Sequence, residues 1–115
     1  MDIKIIKEKI SKKELETLAE GGYGDMVKGV VDIRQGILAL GGELHADAEA
    51  VLLEGGSKQA DLWGFNIYPD KAKDQRMDYS SFINIRPSQG NRSMEIKDQE
   101  LRKQIKKIIE GLIES

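Results

Sequence analysis

Hydrophobic and polar residues alternate along the first third of the chain with the two-residue period that is typical of β-strands. Ile3 and Ile5 alternate with lysines, which predicts a short first strand with one buried face. The segment 27–33 predicts a second strand, and the segment 37–40 predicts its partner. Because the turn 34–36 ends in a glycine, which tolerates a positive φ, these two segments should form a hairpin.

Two helices are predicted from a 3.6-residue apolar period and from residues that favour helix ends. The first begins after Ser11, which forms a capping-box pair with Glu14, and it ends at Gly21-Gly22. The second begins after Asp98, a suitable N-cap residue, and is the clearest element of the chain. Its apolar stripe consists of Leu101, Ile105, Ile108, Ile109 and Leu112.

Two further alternating segments predict a second hairpin. One is 62–67, which contains Trp63 as the expected core anchor, and the other runs from Arg76 to Arg86. Pro69 and the charged segment 71–74 between them indicate a solvent-exposed loop. The pattern therefore predicts one α+β domain over residues 1–115. It consists of an antiparallel sheet of two hairpins plus the N-terminal strand, covered on one side by about three helices.

Composition and charge exclude several classes of protein. A chain of 115 residues with a formal net charge of -2 argues against nucleic acid as the partner, because that binding depends on clustered positive charge. The absence of cysteine excludes disulfides, thiolate metal sites and cysteine nucleophiles. No segment is typical of a secretion signal or a membrane span, so we expect a cytoplasmic protein. Abundant lysine and glutamate without cysteine are typical of thermophilic proteins. Lys103, Lys106 and Lys107 are interpreted as a solvated helix face.

The stretch GGELHADAE, residues 41–49, holds the single histidine of the chain among carboxylates at alternating positions. In an extended strand, Glu43, His45, Asp47 and Glu49 would project from one face as candidate ligands for a divalent metal ion such as zinc, iron or manganese. In the other interpretation a helix begins with Asp47 as its N-cap and ends at the next glycine pair. We favour the helix, because the N-cap residue, the helix-forming composition and the glycine pair at its end all indicate one helix.

Two roles for this stretch follow from the residues. His45 is a candidate catalytic residue, with Glu43 as a second candidate for the general base, and a divalent metal is the candidate cofactor. Alternatively, Asp47 only caps the helix, Glu43 and Glu49 are surface charges, and His45 is a hydrogen-bonded, half-buried side chain.

A second polar stretch extends from Ser80 to Ser93 and contains the remaining candidate site residues. Asn84 and Arg86 leave the predicted strand on one face, and the turn 88–91, which ends at Asn91, can present backbone N–H groups. With Arg92, these side chains are predicted to grip a small anion such as a phosphate or a carboxylate. In the alternative interpretation, both arginines pair with the carboxylates of residues 43–49 and stabilise the fold.

The chain resembles a small family of uncharacterised prokaryotic proteins in the segments GGELHADAEAVLLEGGSKQADLWG and INIRPSQGNRSMEI. The resemblance extends from Val30 to the final helix and implies no established reaction, cofactor or catalytic residue. The residues themselves favour a small-ligand or anion-binding site formed by His45 and its carboxylates with Arg86, Asn91 and Arg92. The alternatives are a metal-dependent hydrolase of phosphate or acyl esters, and a structural or interaction module. A homodimer paired along the strand from Ile3 to Lys7 belongs to the last class.

Overall fold

An antiparallel five-stranded sheet organises the fold, which a computed structural model describes over residues 2–114. The strands lie in the order β1-β3-β2-β4-β5, and each neighbouring pair is antiparallel. The first hairpin and the N-terminal strand are confirmed, and so is the α+β class. The strands are β1 (Ile3–Ile6), β2 (Val27–Asp32), β3 (Ile37–Gly41), β4 (Leu62–Ile67) and β5 (Met77–Asp78).

The described residues contain three α-helices: α1 (Lys12–Glu20), α2 (His45–Glu54) and α3 (Gln99–Leu112). The predicted capping box of α1 is present, since the Glu14 N–H donates to Ser11 Oγ at 3.1 Å. Asp98 caps α3 by accepting hydrogen bonds from the first turn, among them one from the Glu100 N–H at 2.9 Å. Between residues 2 and 114, no helix is both long and apolar enough to cross a membrane.

Both faces of the sheet are covered, whereas the sequence indicated cover on one side. One face packs against α1 and α3, and the other packs against α2. The reason is that β2 and β4 carry apolar side chains on both faces, so every residue of β4 is buried. The first core includes Leu15, Val31, Leu38, Trp63, Phe65, Ile105 and Ile109, and the second includes Val30, Ala39, Ala48, Leu52 and Leu62.

The predicted long strand from Arg76 to Arg86 is wrong beyond its first residues. β5 contains only Met77 and Asp78, and the chain then turns into a short 3₁₀ helix over Phe82–Asn84. Ser81 starts this turn, because its hydroxyl accepts a hydrogen bond from the Ile83 N–H at 3.3 Å. The alternating apolar residues therefore do not form one buried face, and Phe82 is 77% exposed.

The prediction that Ile3 and Ile5 form one buried face of β1 is wrong for Ile5, which is 39% exposed. Ile3 is half-buried against the core beneath α2, and Ile6 is buried in the other core. β1 is an edge strand, so only β3 lies beside it in the sheet.

The segment after β1 is joined to the end of α3. The Ile10 N–H donates to the Leu112 carbonyl at 2.9 Å, and the Glu114 N–H donates to the Ile10 carbonyl at 2.9 Å. Ile10 and Ile113 are both buried in the core that α1 and α3 cover. Two segments that are far apart in sequence therefore share one backbone bridge.

Candidate functional site

The stretch GGELHADAE folds as the end of β3, a short connection and the first turn of α2. The helix begins at His45 and not after Asp47, so the predicted N-cap is displaced. Asp47 is the third helical residue, and its Oδ2 accepts a hydrogen bond from the Leu44 N–H at 3.2 Å. The carboxylate therefore still satisfies a backbone N–H at the helix start, but it does so from inside the first turn.

The fold places the four predicted metal ligands in different surroundings. His45 is buried, Glu43 and Asp47 are exposed, and Glu49 faces a buried arginine. Throughout residues 2–114, no three His, Asp or Glu side chains are grouped closely enough to hold a metal ion. The extended interpretation of this stretch is wrong, and its flat face of metal ligands is not formed.

His45 packs against the sheet and makes one strong hydrogen bond. Its Nε2 lies 2.8 Å from the Phe65 carbonyl, and because a carbonyl only accepts, the proton resides on Nε2. Burial lowers the pKa of His45 below its ordinary value. The nearby charge of Lys28 lowers this pKa further, while the hydrogen bond to Phe65 and the charge of Asp78 act in the opposite direction. The contacts therefore favour a neutral imidazole with a fixed tautomer.

Beneath His45, three polar side chains form a row across neighbouring strands. Lys28 lies opposite Asn66 in the β2–β4 register, and Asn66 lies opposite Asp78 in the β4–β5 register. The Asn66 Nδ2 donates to Asp78 Oδ2 at 3.0 Å, while its buried Oδ1 has no partner among the described residues. This row is not predictable from the sequence, because strand alternation indicates the face of a residue but not its neighbour on the next strand.

Arg86 is enclosed by internal acceptors. Its Nε donates to the Ile83 carbonyl at 3.0 Å, its Nη1 donates to the Gln59 carbonyl at 2.6 Å, and its Nη2 donates to the Leu62 carbonyl. Glu49 lies 3.7 Å from Nη2. Burial lowers the pKa of Arg86, and the charge of Glu49 opposes that shift. These contacts favour the second interpretation, in which the arginine pairs with a carboxylate of residues 43–49 and stabilises the fold.

Asn84 and Asn91, two of the other predicted anion-binding residues, lie close to Arg86 but are occupied by internal contacts, and Asn91 forms a backbone bridge with Arg86. Asn84 is fully buried and pairs with the backbone of β4. Asn91 is also buried, and its Nδ2 donates to the Asn84 carbonyl at 2.7 Å and to the Glu95 carbonyl at 3.0 Å. Arg92, the next residue, is exposed.

A basic cavity of about 320 Å³ lies between α3 and the loop that joins β4 to β5. Only 5% of Arg76 is exposed to solvent, although this residue lines the cavity. Arg76 follows the charged loop 71–74, which was predicted to be exposed to solvent. It faces α3, whose lysines were also interpreted as a solvated face. The lining residues are Lys73, Asp74, Arg76, Met77, Lys106, Ile109 and Glu110.

Among residues 2–114, the cations of this cavity lack carboxylate partners. In the part of the chain that the structure describes, no carboxylate oxygen lies within 4.0 Å of the charged nitrogens of Lys73, Arg76 or Lys106. Arg86, by contrast, is satisfied by backbone carbonyls as well as by Glu49. Asp74 and Glu110 line the same cavity, but neither forms an ion pair there.

A second cavity of about 240 Å³ adjoins the first along α3. It shares four residues with the first cavity and adds Lys103 and Arg102. Together, the two cavities are lined by five basic and two acidic residues. This concentration of positive charge occurs in a chain of net charge -2. The sequence shows two separate basic segments, but only the tertiary fold brings them together at one cavity. The additional lining residues are Tyr79, Gln99, Arg102 and Lys103.

Comparison with known proteins gives a family but no activity. No curated protein and no solved structure matches the sequence. One family model, described as a protein of unknown function (DUF5674), matches residues 4–112. Because the match covers nearly the whole chain, it includes the sheet except for Ile3, all three described helices and both basic cavities. The chain belongs to this family of proteins of unknown function.

Proposed function

We propose that this chain is a small-anion-binding domain and that the basic cavity between α3 and the β4–β5 loop is its site. One observation carries the proposal: Lys73, Arg76 and Lys106 line one cavity, and no carboxylate within residues 2–114 pairs with them. A guanidinium that is largely removed from solvent without a charged partner is unfavourable. An anion in the cavity would offset that cost for Arg76.

The side chains of the cavity differ in what they can offer an anion. Arg76 has a planar set of N–H donors that matches two oxygens of a phosphate or a carboxylate at once. Lys73 and Lys106 act as point charges beside it. Asp74 and Glu110 line the same cavity and repel an anion that approaches them.

The proposal concerns binding and includes no reaction. His45, the candidate base, lies under α2 on one face of the sheet, while the basic cavity is bordered by α3 on the opposite face. The joint His45–arginine site considered from the sequence is therefore replaced by an anion site that uses Arg76. The proposed ligand is still a small anion, but the proposed binding site is at Arg76 and not at His45.

Titration with inorganic phosphate at low ionic strength tests the proposal, with backbone amide chemical shifts as the readout. We expect saturable shifts in residues 73–77 and 106–110. Lys106→Met should weaken binding about tenfold, the value expected for one lost charge-assisted contact. Lys97→Met is the matched control, because Lys97 is exposed and pairs with Glu95 at 3.2 Å outside the cavity.

Arg76→Lys separates charge from geometry, since it keeps the positive charge and removes the planar fork. It should weaken phosphate binding while leaving the fold intact. Shifts that never saturate, or an equal loss in Lys106→Met and Lys97→Met, would indicate general screening and would contradict the proposal.

Protein interaction is a second candidate function. It is supported by apolar side chains at the surface near the turn after β5, where Phe82 is 77%, Ile85 43% and Met94 37% exposed. Buried polar residues such as Asn84 hold this turn in place, so these apolar groups are presented on a rigid segment. Measurement of the solution mass tests self-association, which is one form of such interaction.

A further inference from the structure

The two basic cavities form one groove along α3. They share Lys73, Asp74, Met77 and Lys106, and the groove reaches from Glu110 at one end to Gln99 at the other. These two positions are 11 residues apart in one helix, which corresponds to about 16 Å along its axis. An inorganic anion at Arg76 would therefore occupy one end and leave the other end empty.

The two ends of the groove differ in electrostatic character. At the Arg76 end, the cations have no carboxylate partner in the described chain. At the Gln99 end, Lys103 pairs with Glu100 at 3.5 Å, and Arg102 lies 4.0 Å from Glu95. Arg102 also donates from Nε to the Ile96 carbonyl at 2.5 Å. Positive charge is thus unpaired at Arg76 and at the two shared lysines, whereas Lys103 and Arg102 at the Gln99 end each have a carboxylate within 4.0 Å.

The second end offers uncharged contacts instead. Gln99 lies in the first turn of α3 with an exposed side-chain amide that can both donate and accept hydrogen bonds. Tyr79 is half-buried there and adds an aromatic surface, and Met77 lines both cavities. A ligand that fits both ends has an anionic group at one terminus and an uncharged, hydrogen-bonding body at the other.

We infer that the ligand is an organic phosphate monoester with an uncharged, hydroxylated body. The inference rests on the proposed anion site at Arg76. The phosphate is assigned to Arg76, Lys73 and Lys106, because three cations provide more charge than a single carboxylate requires. The body extends past Met77 and reaches the side chain of Gln99. The first cavity, of about 320 Å³, is near the lower limit of typical small-molecule sites, so the ligand is a small metabolite and not a polymer.

Calorimetric titration of the full chain with a series of defined probes tests this inference. The series is inorganic phosphate, glycerol 3-phosphate and ribose 5-phosphate, with glycerol and ribose as uncharged controls and glycerate as the carboxylate. We expect at least one ester to bind about tenfold more tightly than inorganic phosphate, as one or two added hydrogen bonds would give. The uncharged sugars should not bind, and glycerate should bind more weakly than glycerol 3-phosphate.

A variant pair on α3 locates the body of the ligand. Gln99→Ala should reduce the affinity for the ester to that for inorganic phosphate, while the affinity for inorganic phosphate itself stays unchanged. Gln104→Ala is the matched control, because Gln104 is exposed on the same helix and lines neither basic cavity. Alanine is a strong helix former, so both variants should fold.

The possible failures are distinguishable. If neither phosphate nor any ester binds, the proposed anion site itself fails, and the inference fails with it. If inorganic phosphate binds as tightly as the esters, the anion site stands and the organic body is excluded. An ester preference that Gln99→Ala leaves intact overturns the assigned position of the body. Equal binding of glycerate and glycerol 3-phosphate overturns the preference for phosphate.

Discussion

The side-chain amide of Asn84 pairs with both backbone groups of Gly64, as the backbone of a neighbouring strand would. The Gly64 N–H donates to Asn84 Oδ1 at 2.8 Å, and Asn84 Nδ2 donates to the Gly64 carbonyl at 3.0 Å. β5 is only two residues long, so the edge of β4 beyond it would otherwise carry unpaired peptide groups. One fully buried amide therefore satisfies this part of the edge of β4 without a further strand.

Replacement of Asn84 by leucine should strongly destabilise the protein. The variant leaves the N–H and the carbonyl of Gly64 buried without these partners, which predicts a loss of about 2–4 kcal/mol in the free energy of unfolding. Urea denaturation measures the loss. An exposed residue of the neighbouring turn provides the control, and Ser88→Ala should change the stability little. Equal stability of Asn84→Leu and the wild type would contradict the strand-like pairing.

Two glycine-to-alanine substitutions should have opposite effects. A Cβ at Gly64 would lie 2.6 Å from the Ser81 Cβ and 3.1 Å from Ile83, so Gly64→Ala should displace the turn after β5 and lower stability by about 1–3 kcal/mol. Gly111 lies within α3 with no atom near its Cβ position. Gly111→Ala should therefore raise stability by about 0.5–1 kcal/mol. Thermal unfolding of both variants checks the two signs, and a loss at both positions would contradict the steric argument.

The stability of the protein should decrease on acidification through the titration of His45. Because burial lowers the folded-state pKa from the ordinary value of 6.5, the unfolded chain binds more protons than the folded chain between the two pKa values. The free energy of unfolding therefore rises with pH between these two pKa values. The stability that neutral His45 contributes is complete above pH 6.5 and is lost as the pH falls toward the folded-state pKa. Urea denaturation between about pH 8 and 5 measures this dependence.

The matched control for this pH dependence is His45→Gln. Glutamine can still donate a hydrogen bond to the Phe65 carbonyl, but it does not titrate. The slope of stability against pH in that range should therefore flatten in the variant. An unchanged slope would assign the pH dependence to other groups.

Loss of Arg86 should destabilise the protein more than loss of the charge on its partner Glu49. Arg86→Met removes the donor to three backbone carbonyls and leaves Glu49 without a countercharge, so a loss of about 3–5 kcal/mol is expected. Glu49→Gln keeps the shape of the side chain and should cost less, about 1–2 kcal/mol. Glu54→Gln, an exposed change in the same helix, is the control for charge. A greater loss in Glu49→Gln than in Arg86→Met would contradict the assigned contacts.

If protein interaction is the function, one expected outcome is that the protein self-associates. Light scattering at micromolar concentration checks this prediction. If the exposed side chain of Phe82 mediates it, Phe82→Ser should abolish the dimer. If β1 pairs edge to edge instead, Ile5→Lys should abolish it and Phe82→Ser should not. A strict monomer in the wild type excludes both forms of dimer.

Elements with local signals were predictable from the sequence. The capping box at Ser11, the cap at Asp98 and the apolar stripe of α3 each depend on residues within one helix. The hairpin of β2 and β3 depends on a turn between adjacent segments. The helix in residues 46–54 was also predictable from its helix-forming composition, although its first residue was not, because Asp47 acts as a capping group from the third helical position.

The errors arose where a residue's partner is far along the chain. Asn84 belongs to a run with two-residue apolar alternation, but it bonds to Gly64, 20 residues earlier, and that contact replaces a strand by a turn. Arg86 resembles a ligand-binding residue because a guanidinium suits both a ligand and an internal acceptor. Arg76 and Lys106, which line the proposed site, belong to different elements, and only packing of α3 against the sheet places them at one cavity. No short-range period contains that information.

The backbone bridge between Ile10 and the end of α3 has a consequence for how the molecule opens. Since Ile10 bonds through its N–H to Leu112 and through its carbonyl to Glu114, neither segment can detach without breaking the same pair of bonds. The two segments should therefore behave as one cooperative unit in native-state hydrogen exchange. The amide protons of Ile10 and Glu114 should then exchange at a common rate. Water should reach the core beneath α1 and α3 through a single opening event and not by independent fraying of two ends.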